Sequence, residues 1–136
     1  MLVEHARNVM GIGDAVHAEY GAPGTEVVSL LSCSLDGLDV NLRIRPGTRL
    51  HDLHGGADRI TERTTCSYGL NPAFRGHLEA SGLVVSATDD TTEARAVERR
   101  DHPFFLATLY QPQLGSSPSR PHPVLVGLVQ AALSRG

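Results

Sequence analysis

The spacing of hydrophobic residues predicts three helices. Residues 2–10 carry apolar side chains at helical intervals and are followed by glycines that suit a helix end. The segment 72–80 has proline in its first turn and glycine soon after its end, which favours a second helix. Residues 123–133 place their apolar side chains on one side and predict an amphipathic helix that closes the chain.

Between these helices the apolar residues follow strand patterns. A β-branched and leucine-rich run at 26–35 precedes strict alternation at 38–44, and Asp36-Gly37 between them predicts a hairpin. Residues 48–53 are expected to form a single helical turn after Pro46-Gly47. A short strand is predicted within 57–66.

The remaining segments complete an α/β pattern. Residues 14–24 and 67–71 are predicted to be irregular. The strands 83–87 and 94–99 flank a polar turn at 88–93, and a nearly uninterrupted apolar run at 104–109 supplies a third strand. These three strands predict a meander.

The composition indicates one domain, residues 1–136. The chain has 136 residues and 40% apolar content, enough for a single hydrophobic core. No stretch approaches the roughly 18 consecutive apolar residues that a spanning helix needs, and the first residues lack a signal-peptide pattern. We therefore expect a soluble, cytoplasmic protein. A net charge of −3 without a basic stripe gives no reason to expect nucleic acid or a membrane as a partner.

The reactive side chains limit the possible chemistry. All twelve basic residues are arginine, which excludes lysine Schiff bases and the phosphate-binding lysine of P-loop enzymes. Cys33 and Cys66 lie far apart, and we expect both to be buried, unreactive thiols. No cofactor is predicted.

The last third of the chain resembles a known family. Residues 101–113, read as Asp-His-Pro-Phe-Phe-Leu-Ala-Thr-Leu-Tyr-Gln-Pro-Gln, precede Arg-Pro-His-Pro at 120–123. This order resembles the end of a class I glutamine amidotransferase domain, that of CTP synthase. In that family a buried strand delivers Phe-His-Pro-Glu, and His-Pro-Leu opens the last helix. The resemblance places Gln111 and Gln113 at the family's catalytic histidine and glutamate.

That replacement changes the chemistry. A cysteine amidotransferase needs a histidine to take the thiol proton and a carboxylate to stabilise the imidazolium that forms. Glutamine is a neutral amide that neither titrates nor accepts a proton at neutral pH. General base assistance alone contributes roughly 100- to 10,000-fold in rate. We therefore expect Gln111 and Gln113 to be catalytically inactive.

Earlier segments extend the resemblance over most of the chain. Residues 3–9 resemble the family's Ile-Glu-Phe-Ala-Arg-Asn-Val helix, and 14–20 resemble its Asp-Ala-Asn-Ser-Thr-Glu-Phe, which puts Glu19 at a glutamine-contacting carboxylate. Tyr68 and Asn71 match the family's Arg-His-Arg-Tyr-Glu-x-Asn-Pro and are predicted to shape the substrate pocket, although local hydrogen bonding is an equally good interpretation. Ser67 stands where the family has an arginine for the substrate carboxylate. Whether Arg7, Arg63 or Arg120 replaces it stays open.

A closer likeness is to bacterial proteins described as CTP synthase C-terminal region-related. Their expected Leu-Ser-Cys-Ser-Leu and Cys-Ser-Tyr-Gly-Leu-Asn-Pro stand at 31–35 and 66–72, and Gln-Pro replaces His-Pro at Gln111. Gln113 departs even from this group, in which a glutamate is expected.

The resemblance implies the second half of a flavodoxin-like amidotransferase fold. The family's nucleophilic cysteine lies on a strand-to-helix turn just before the helix that begins here near Met1, so we expect the first strands and this turn to have no counterpart in the 136 residues. A sheet without its first strands has an unpaired edge, so the chain is truncated, wrongly started, or completed by a partner. An in-frame Gly-x-Cys-Gly-Gly upstream in the gene would decide among these.

Three other groups of residues were considered as sites. Cys66 is the best remaining nucleophile, with His122 or His77 as its base, but structural burial is favoured. His51 and His54 have a spacing that a metal can use, and without a third nearby ligand a solvated turn is favoured. The carboxylates of 89–93 are expected to be hydrated at a turn and to bind no cation.

Two function hypotheses remain from the sequence. The first is a CTP synthase-related amidotransferase-like protein whose parent reaction is the glutamine-dependent amination of UTP to CTP, inactive as a glutaminase but still binding glutamine or another small amide near Glu19, Tyr68 and Gln111. The second is an interaction module that pairs through its incomplete sheet with a second copy or with a synthetase.

Overall fold

The computed structural model describes residues 1–32 and 34–134, so the prediction for Cys33 lies outside the described residues. Four α-helices are present: α1 Leu2–Asn8, α2 Arg49–Leu53, α3 Arg75–Ala80 and α4 Pro123–Leu133. Short 3₁₀ turns occur at Ala18–Tyr20, Pro72–Phe74 and Pro112–Gly115. The strands are β1 Ala15–His17, β2 Thr25–Leu30, β3 Leu38–Ile44, β4 Arg59–Thr64, β5 Tyr68–Leu70, β6 Leu83–Asp89, β7 Ala94–Arg99 and β8 Leu106–Thr108.

The strands form two sheets, and the predicted hairpin between β2 and β3 is wrong. A three-stranded sheet has the order β1-β2-β5, with β1 and β2 parallel and β5 antiparallel to β2. A five-stranded antiparallel sheet has the order β4-β3-β6-β7-β8. Alternation along a strand determines which face is buried but not which strand lies beside it. Gly37 does turn the chain, yet its N–H bonds to Thr64 O at 2.9 Å, which starts β3 beside β4.

The predicted meander is confirmed. β6 pairs with β7 and β7 pairs with β8, both antiparallel. The third strand is shorter than the apolar run at 104–109, because only Leu106–Thr108 finds a partner. β8 therefore brings the following residues, Tyr110 and Gln111, to the edge of the sheet.

Two segments predicted to be irregular contain short strands. β1 lies within 14–24, and β5 lies within 67–71. Each has three residues, which is too short for a period-two pattern to stand out in the sequence. Tertiary pairing with β2 on both sides stabilises them instead.

The helix predictions are confirmed in position and corrected at their ends. α1 stops two residues early, and α4 has the predicted bounds. The single turn at 48–53 is α2, which Thr48 caps through its side chain. Glu98 of β7, 1% exposed, adds a second cap, since its carboxylate accepts from Arg49 N at 2.8 Å and Leu50 N at 3.1 Å. Two backbone N–H groups thus satisfy a buried charge.

Apolar residues fill the space between helices and sheets. One cluster joins β3, β6 and β7 to α2 and α4, and includes Leu42, Leu50 and Val124. A second lies between α3 and the β6-β7 pair, and a third packs α1 against β1 and β2. Within α1, His5 is buried and its Nε2 lies 2.7 Å from Ser81 Oγ. Burial lowers the pKa of His5, and the charge of Arg99 lowers it further.

The turn between β6 and β7 is not simply hydrated, so that prediction is wrong for Asp89. Its carboxylate is 6% exposed and accepts from Thr91 N, Thr91 Oγ1 and Glu93 N. Arg95 donates to it from Nε at 2.8 Å and Nη2 at 2.6 Å. Burial by itself would raise the pKa of Asp89, but the hydrogen bonds from Thr91 and Arg95 outweigh it and lower the pKa. The cation that the Asp89 carboxylate binds is therefore the guanidinium of Arg95.

Within residues 1–32 and 34–134, every helix is too short or too polar to cross a bilayer.

Candidate functional site

Gln111 lies just beyond β8, where its side chain has a fixed partner. Its amide Oε1 accepts from Thr65 N at 2.8 Å, and its backbone N–H donates to Arg63 O at 3.1 Å. Gln113 lies two residues later in the turn Pro112–Gly115 and is exposed. The Gln111 amide thus joins the end of β8 to the end of β4, a role that an uncharged side chain performs without any change of protonation.

Glu19 and Tyr68 come together around a residue that the sequence analysis did not select. The His17 ring lies 5.3 Å from the Tyr68 ring and 5.3 Å from the Tyr20 ring. His17 Nδ1 accepts from Glu19 N at 3.2 Å and lies 3.9 Å from the Glu19 carboxylate. Glu19 itself is exposed, so this carboxylate is free to rotate toward a bound molecule.

A mainly apolar cavity of about 400 Å³ opens beside this cluster. The N-terminal end of α1 forms one side of it, β8 forms another, and His17 with Val28 forms a third. Its volume lies within the range of small-molecule sites, which is about 300 to 1,000 Å³. His17 is therefore the side chain that connects this cavity to Glu19 and Tyr68.

Asn71 and Cys66 both have local backbone partners. Asn71 Nδ2 donates to Glu26 O at 2.8 Å, and its Oδ1 accepts from Ala73 N at 3.1 Å, which caps the turn Pro72–Phe74. The Cys66 thiol donates to Tyr68 O at 3.3 Å and accepts from Tyr68 N at 3.4 Å. The Cys66 bonds stabilise the turn between β4 and β5, and the Asn71 bonds stabilise the turn that follows β5.

The two histidines considered as bases for Cys66 have other contacts. His77 packs against Phe74, with their ring centroids 6.2 Å apart. His122 is buried, and its Nε2 lies 2.9 Å from the Glu62 carboxylate. Among the described contacts, neither ring reaches the Cys66 sulfur.

The arginines considered for a substrate carboxylate lie in different places. Arg7 donates to Ala15 O at 2.9 Å, and Arg63 pairs with Asp39 at 3.2 Å. Arg120 lines a second cavity near His122. At the position of the family's arginine, Ser67 exchanges a 2.8 Å hydrogen bond with Ser34.

A buried cluster of His54, Glu62 and His122 lies between β4 and the helices α2 and α4. One ligand-type atom from each residue lies within 4.8 Å of the others. His54 is partly buried, and its Nε2 has no hydrogen-bond partner among the described residues. The expectation of a solvated turn is thus wrong for His54. Burial lowers the pKa of His54, the charge of His122 lowers it further, and Glu62 opposes both.

The sequence did contain a signal for this cluster. Ile60, Glu62 and Thr64 are in phase along β4, so a carboxylate falls on the strand's buried face. A buried carboxylate requires a partner. The partner was not predictable, because His122 is sixty residues away and lies at the N-cap of α4.

Comparison with known proteins identifies the fold and the family. A solved glutaminase domain of Trypanosoma brucei CTPS with bound acivicin superimposes with a TM-score of 0.87 and 28% identity, over 96% of this chain and 55% of that one. The CTP synthase of Thermus thermophilus is 39% identical over 150 residues, which is 98% of this chain. The chain belongs to the family of the CTP synthase glutamine amidotransferase domain.

Other relatives of the family agree. The CTP synthase of Archaeoglobus fulgidus is 36% identical over 143 residues. A putative GMP synthase subunit from Thermoplasma acidophilum, 13% identical with a TM-score of 0.59, shares the fold alone. No protein-family model matches the chain.

The match to CTP synthases is confined to their C-terminal part. The chain spans 27% of the length of the Thermus thermophilus relative. The structural match confirms the predicted α/β amidotransferase fold for this part of the family.

Proposed function

We propose that this chain is a CTP synthase-related amidotransferase-like protein that does not hydrolyse glutamine. The observation that carries the proposal is Gln111, whose neutral amide is bound to Thr65 N at the position that the resemblance gives to the catalytic base. Neither Gln111 nor Gln113 accepts a proton at neutral pH, so a thiol at this site gains no general base from them. Its relatives are named for CTP synthesis, and we place this protein in the same branch of nucleotide metabolism, in the cytoplasm.

The proposal includes a retained ligand pocket. Glu19 and Tyr68 provide a carboxylate and a phenol, and the open apolar cavity beside His17 provides space of the size that a small ligand needs. This combination suits the amino and amide ends of glutamine or a similar small amide. Asn71 supports the pocket indirectly, since it holds the turn after β5. Cys66 is proposed to be structural, because its thiol is engaged with the Tyr68 backbone.

The test combines an activity assay with a binding assay. Ammonium release from L-glutamine is measured for this protein and for the Thermus thermophilus CTP synthase side by side. We expect release at the background rate, and a rate close to that of the Thermus enzyme would refute the inactive assignment.

Binding is measured by titrating L-glutamine into labelled protein and following the amide signals of β1 and β5. Glu19→Gln is expected to weaken the response, and Glu79→Gln, an equally exposed carboxylate on α3, serves as the control. Equal weakening by both variants, or none by either, would place the ligand elsewhere.

A second candidate function is an interaction module. On α4 the apolar residues Leu128, Val129 and Leu133 are 49%, 56% and 75% exposed, which is unusual for a helix with its other side in the core. Such a surface fits a second copy or a synthetase partner. Concentration-dependent dimers that ignore glutamine would favour this function, whereas concentration-independent monomers that bind glutamine would favour the first.

A further inference from the structure

The cluster formed by His54, Glu62 and His122 brings three metal-ligand side chains together from separate parts of the fold. Glu62 lies on β4, His54 ends α2, and His122 begins α4. The two imidazole rings meet edge to face with centroids 5.5 Å apart. None of the three residues lines the apolar cavity beside His17, so this cluster is spatially separate from that cavity.

Two polar atoms in this region lack partners among the described residues. His54 Nε2 and Tyr110 OH are both buried without a hydrogen bond. Tyr110 packs near His122, with ring centroids 6.3 Å apart. A buried unsatisfied polar group costs about 1 to 3 kcal/mol, so an ion or a water bound beside His54 would offset that cost.

We propose that His54, Glu62 and His122 bind a divalent transition-metal ion, with Zn²⁺ as the cation whose ligand preferences fit. Two imidazoles and one carboxylate are a ligand set used by zinc and non-haem iron sites, whereas Mg²⁺ and Ca²⁺ prefer oxygen ligands. One carboxylate with two neutral histidines gives the site a single negative charge. That charge favours a cation over an anion.

The spacing of the ligands is close to what a metal requires. Bonds of about 2.0 to 2.1 Å at tetrahedral angles separate ligand atoms by about 3.3 Å. The 2.9 Å between His122 Nε2 and the Glu62 carboxylate lies just below that value, and His54 lies within 4.8 Å of both. The His54 ligand atom therefore has to approach the other two by up to about 1.5 Å, and no hydrogen bond at Nε2 opposes a rotation of its ring.

The cluster is also accessible. A cavity of about 430 Å³ is lined by all three ligands together with Gly115 and Arg120. It provides an entry path and an open coordination position for water or a fourth ligand. Arg120 is exposed, so solvent and salt screen its charge from a bound cation.

Metal binding has a consequence at the start of α4. His122 Nδ1 accepts from Val124 N at 3.2 Å, which means that its proton is on Nε2, facing Glu62. Coordination through Nε2 requires the other neutral tautomer, so the ring loses the proton on Nε2 and takes up one on Nδ1 with no net release, and Nδ1 can no longer accept from Val124. Metal binding at His122 Nε2 is therefore expected to remove the hydrogen bond from Val124 N that caps α4.

The experiment is a zinc titration of chelator-treated, tag-free protein against a chromophoric competitor. We expect one Zn²⁺ per chain and no comparable binding of Mg²⁺. His54→Gln should weaken the affinity by at least about tenfold, since even outer-shell changes at metal sites cost 10- to 100-fold. His51→Gln is the matched control, because His51 lies on the same short helix but faces Asp58 at 3.5 Å.

A second readout separates coordination from adventitious surface binding. The amide signal of Val124 should shift in proportion to bound zinc in the parent protein and in His51→Gln, but not in His54→Gln. Glu62→Gln, which keeps the size and one acceptor oxygen, replaces His54→Gln if that variant does not fold. Absence of stoichiometric binding, equal affinity in His54→Gln and His51→Gln, or an unmoved Val124 amide would each overturn the proposal.

Discussion

The buried pair of Asp89 and Arg95 supports a quantitative prediction. Asp89→Asn keeps the shape of the side chain but removes its charge. The amide can still accept from the Thr91 and Glu93 backbone with its one oxygen. Its NH₂ group then faces the Nε and Nη2 donors of Arg95, where two short hydrogen bonds existed before.

The expected loss follows from what remains around Arg95. Removing one partner of a buried ion pair costs about 3 to 5 kcal/mol, because the other charge stays buried. Glu93 still pairs with Arg95 at 2.8 Å, so the loss falls at the lower end of that range, about 3 kcal/mol. At about 3 to 5 °C per kcal/mol for a chain of this length, the midpoint should fall by about 10 °C.

The assay is urea unfolding at pH 7, supported by calorimetry. Asp90→Asn is the matched control, since Asp90 is 53% exposed and pairs with Arg43 at the surface. Exposed pairs contribute about 0 to 1 kcal/mol, so this variant should unfold near the parent's midpoint. Adding Arg95→Met to Asp89→Asn should recover part of the loss, because the unpaired buried cation is then gone.

The pH dependence gives a further check on the same pair. The folded-state pKa of Asp89 is lowered, so its contribution is present above the unfolded-state pKa and is lost as the pH falls through the folded value. The difference between parent and Asp89→Asn should therefore shrink in acid. A loss below about 1 kcal/mol at pH 7, or a difference independent of pH, would refute the reasoning.

Three other predictions concern single side chains. The pKa of the buried His5 is lowered in the folded state, so as the pH falls the unfolded chain binds this proton before the folded chain does. The free energy of unfolding should therefore fall as the pH drops below about 6.5. His5→Gln should flatten that decline in urea titrations at pH 5 to 7. Gly127→Ala should be less stable than the parent, because the new Cβ meets a Leu53 methyl at 2.5 Å. Gly76→Ala, whose Cβ enters open space, should gain about 0.5 to 1 kcal/mol of stability by thermal melting. A change of stability with the same sign in both variants would contradict this. Glu98→Gln should lower the free energy of unfolding by about 1 to 3 kcal/mol in urea, because one backbone N–H at the start of α2 then faces an amide NH₂. An unchanged midpoint would contradict this and would show that solvent replaces the carboxylate.

The elements that could be predicted are those whose pattern is local. β3 alternates strictly and α4 starts at Pro123 with apolar residues at helical intervals, so both are predicted with their observed bounds. The apolar residues of α4 are nevertheless not all on its buried side, since Leu128, Val129 and Leu133 are exposed. The partners of β2 were not found, because a strand's sequence does not record its neighbour and β5 is only three residues long. The same limit applies to Glu62, whose burial follows from its phase with Ile60 but whose bond to His122 does not.

The candidate site residues come from the family resemblance and not from spacing alone. The motifs propose Gln111 and Gln113, and the order along the chain proposes Glu19 and Tyr68, which the structure brings together around His17. His17 was not predicted because the matching motif has serine at its position, and its contacts with Tyr68, Tyr20 and Glu19 depend on the fold. The partly buried position of His54 results from tertiary packing, which the neighbouring residues in the sequence do not predict.

The carboxylate of Glu98 at the start of α2 links the assembly of two distant regions. A five-residue helix is far below the length at which helices persist alone in water, so α2 has no independent existence. Its first turn relies on that carboxylate as well as on the Thr48 cap, so the helix is fully capped only when β7 is paired in the sheet. The imidazole of His54, at the other end of α2, therefore depends on β7 for its position, and a substitution that displaces β7 should displace His54 as well.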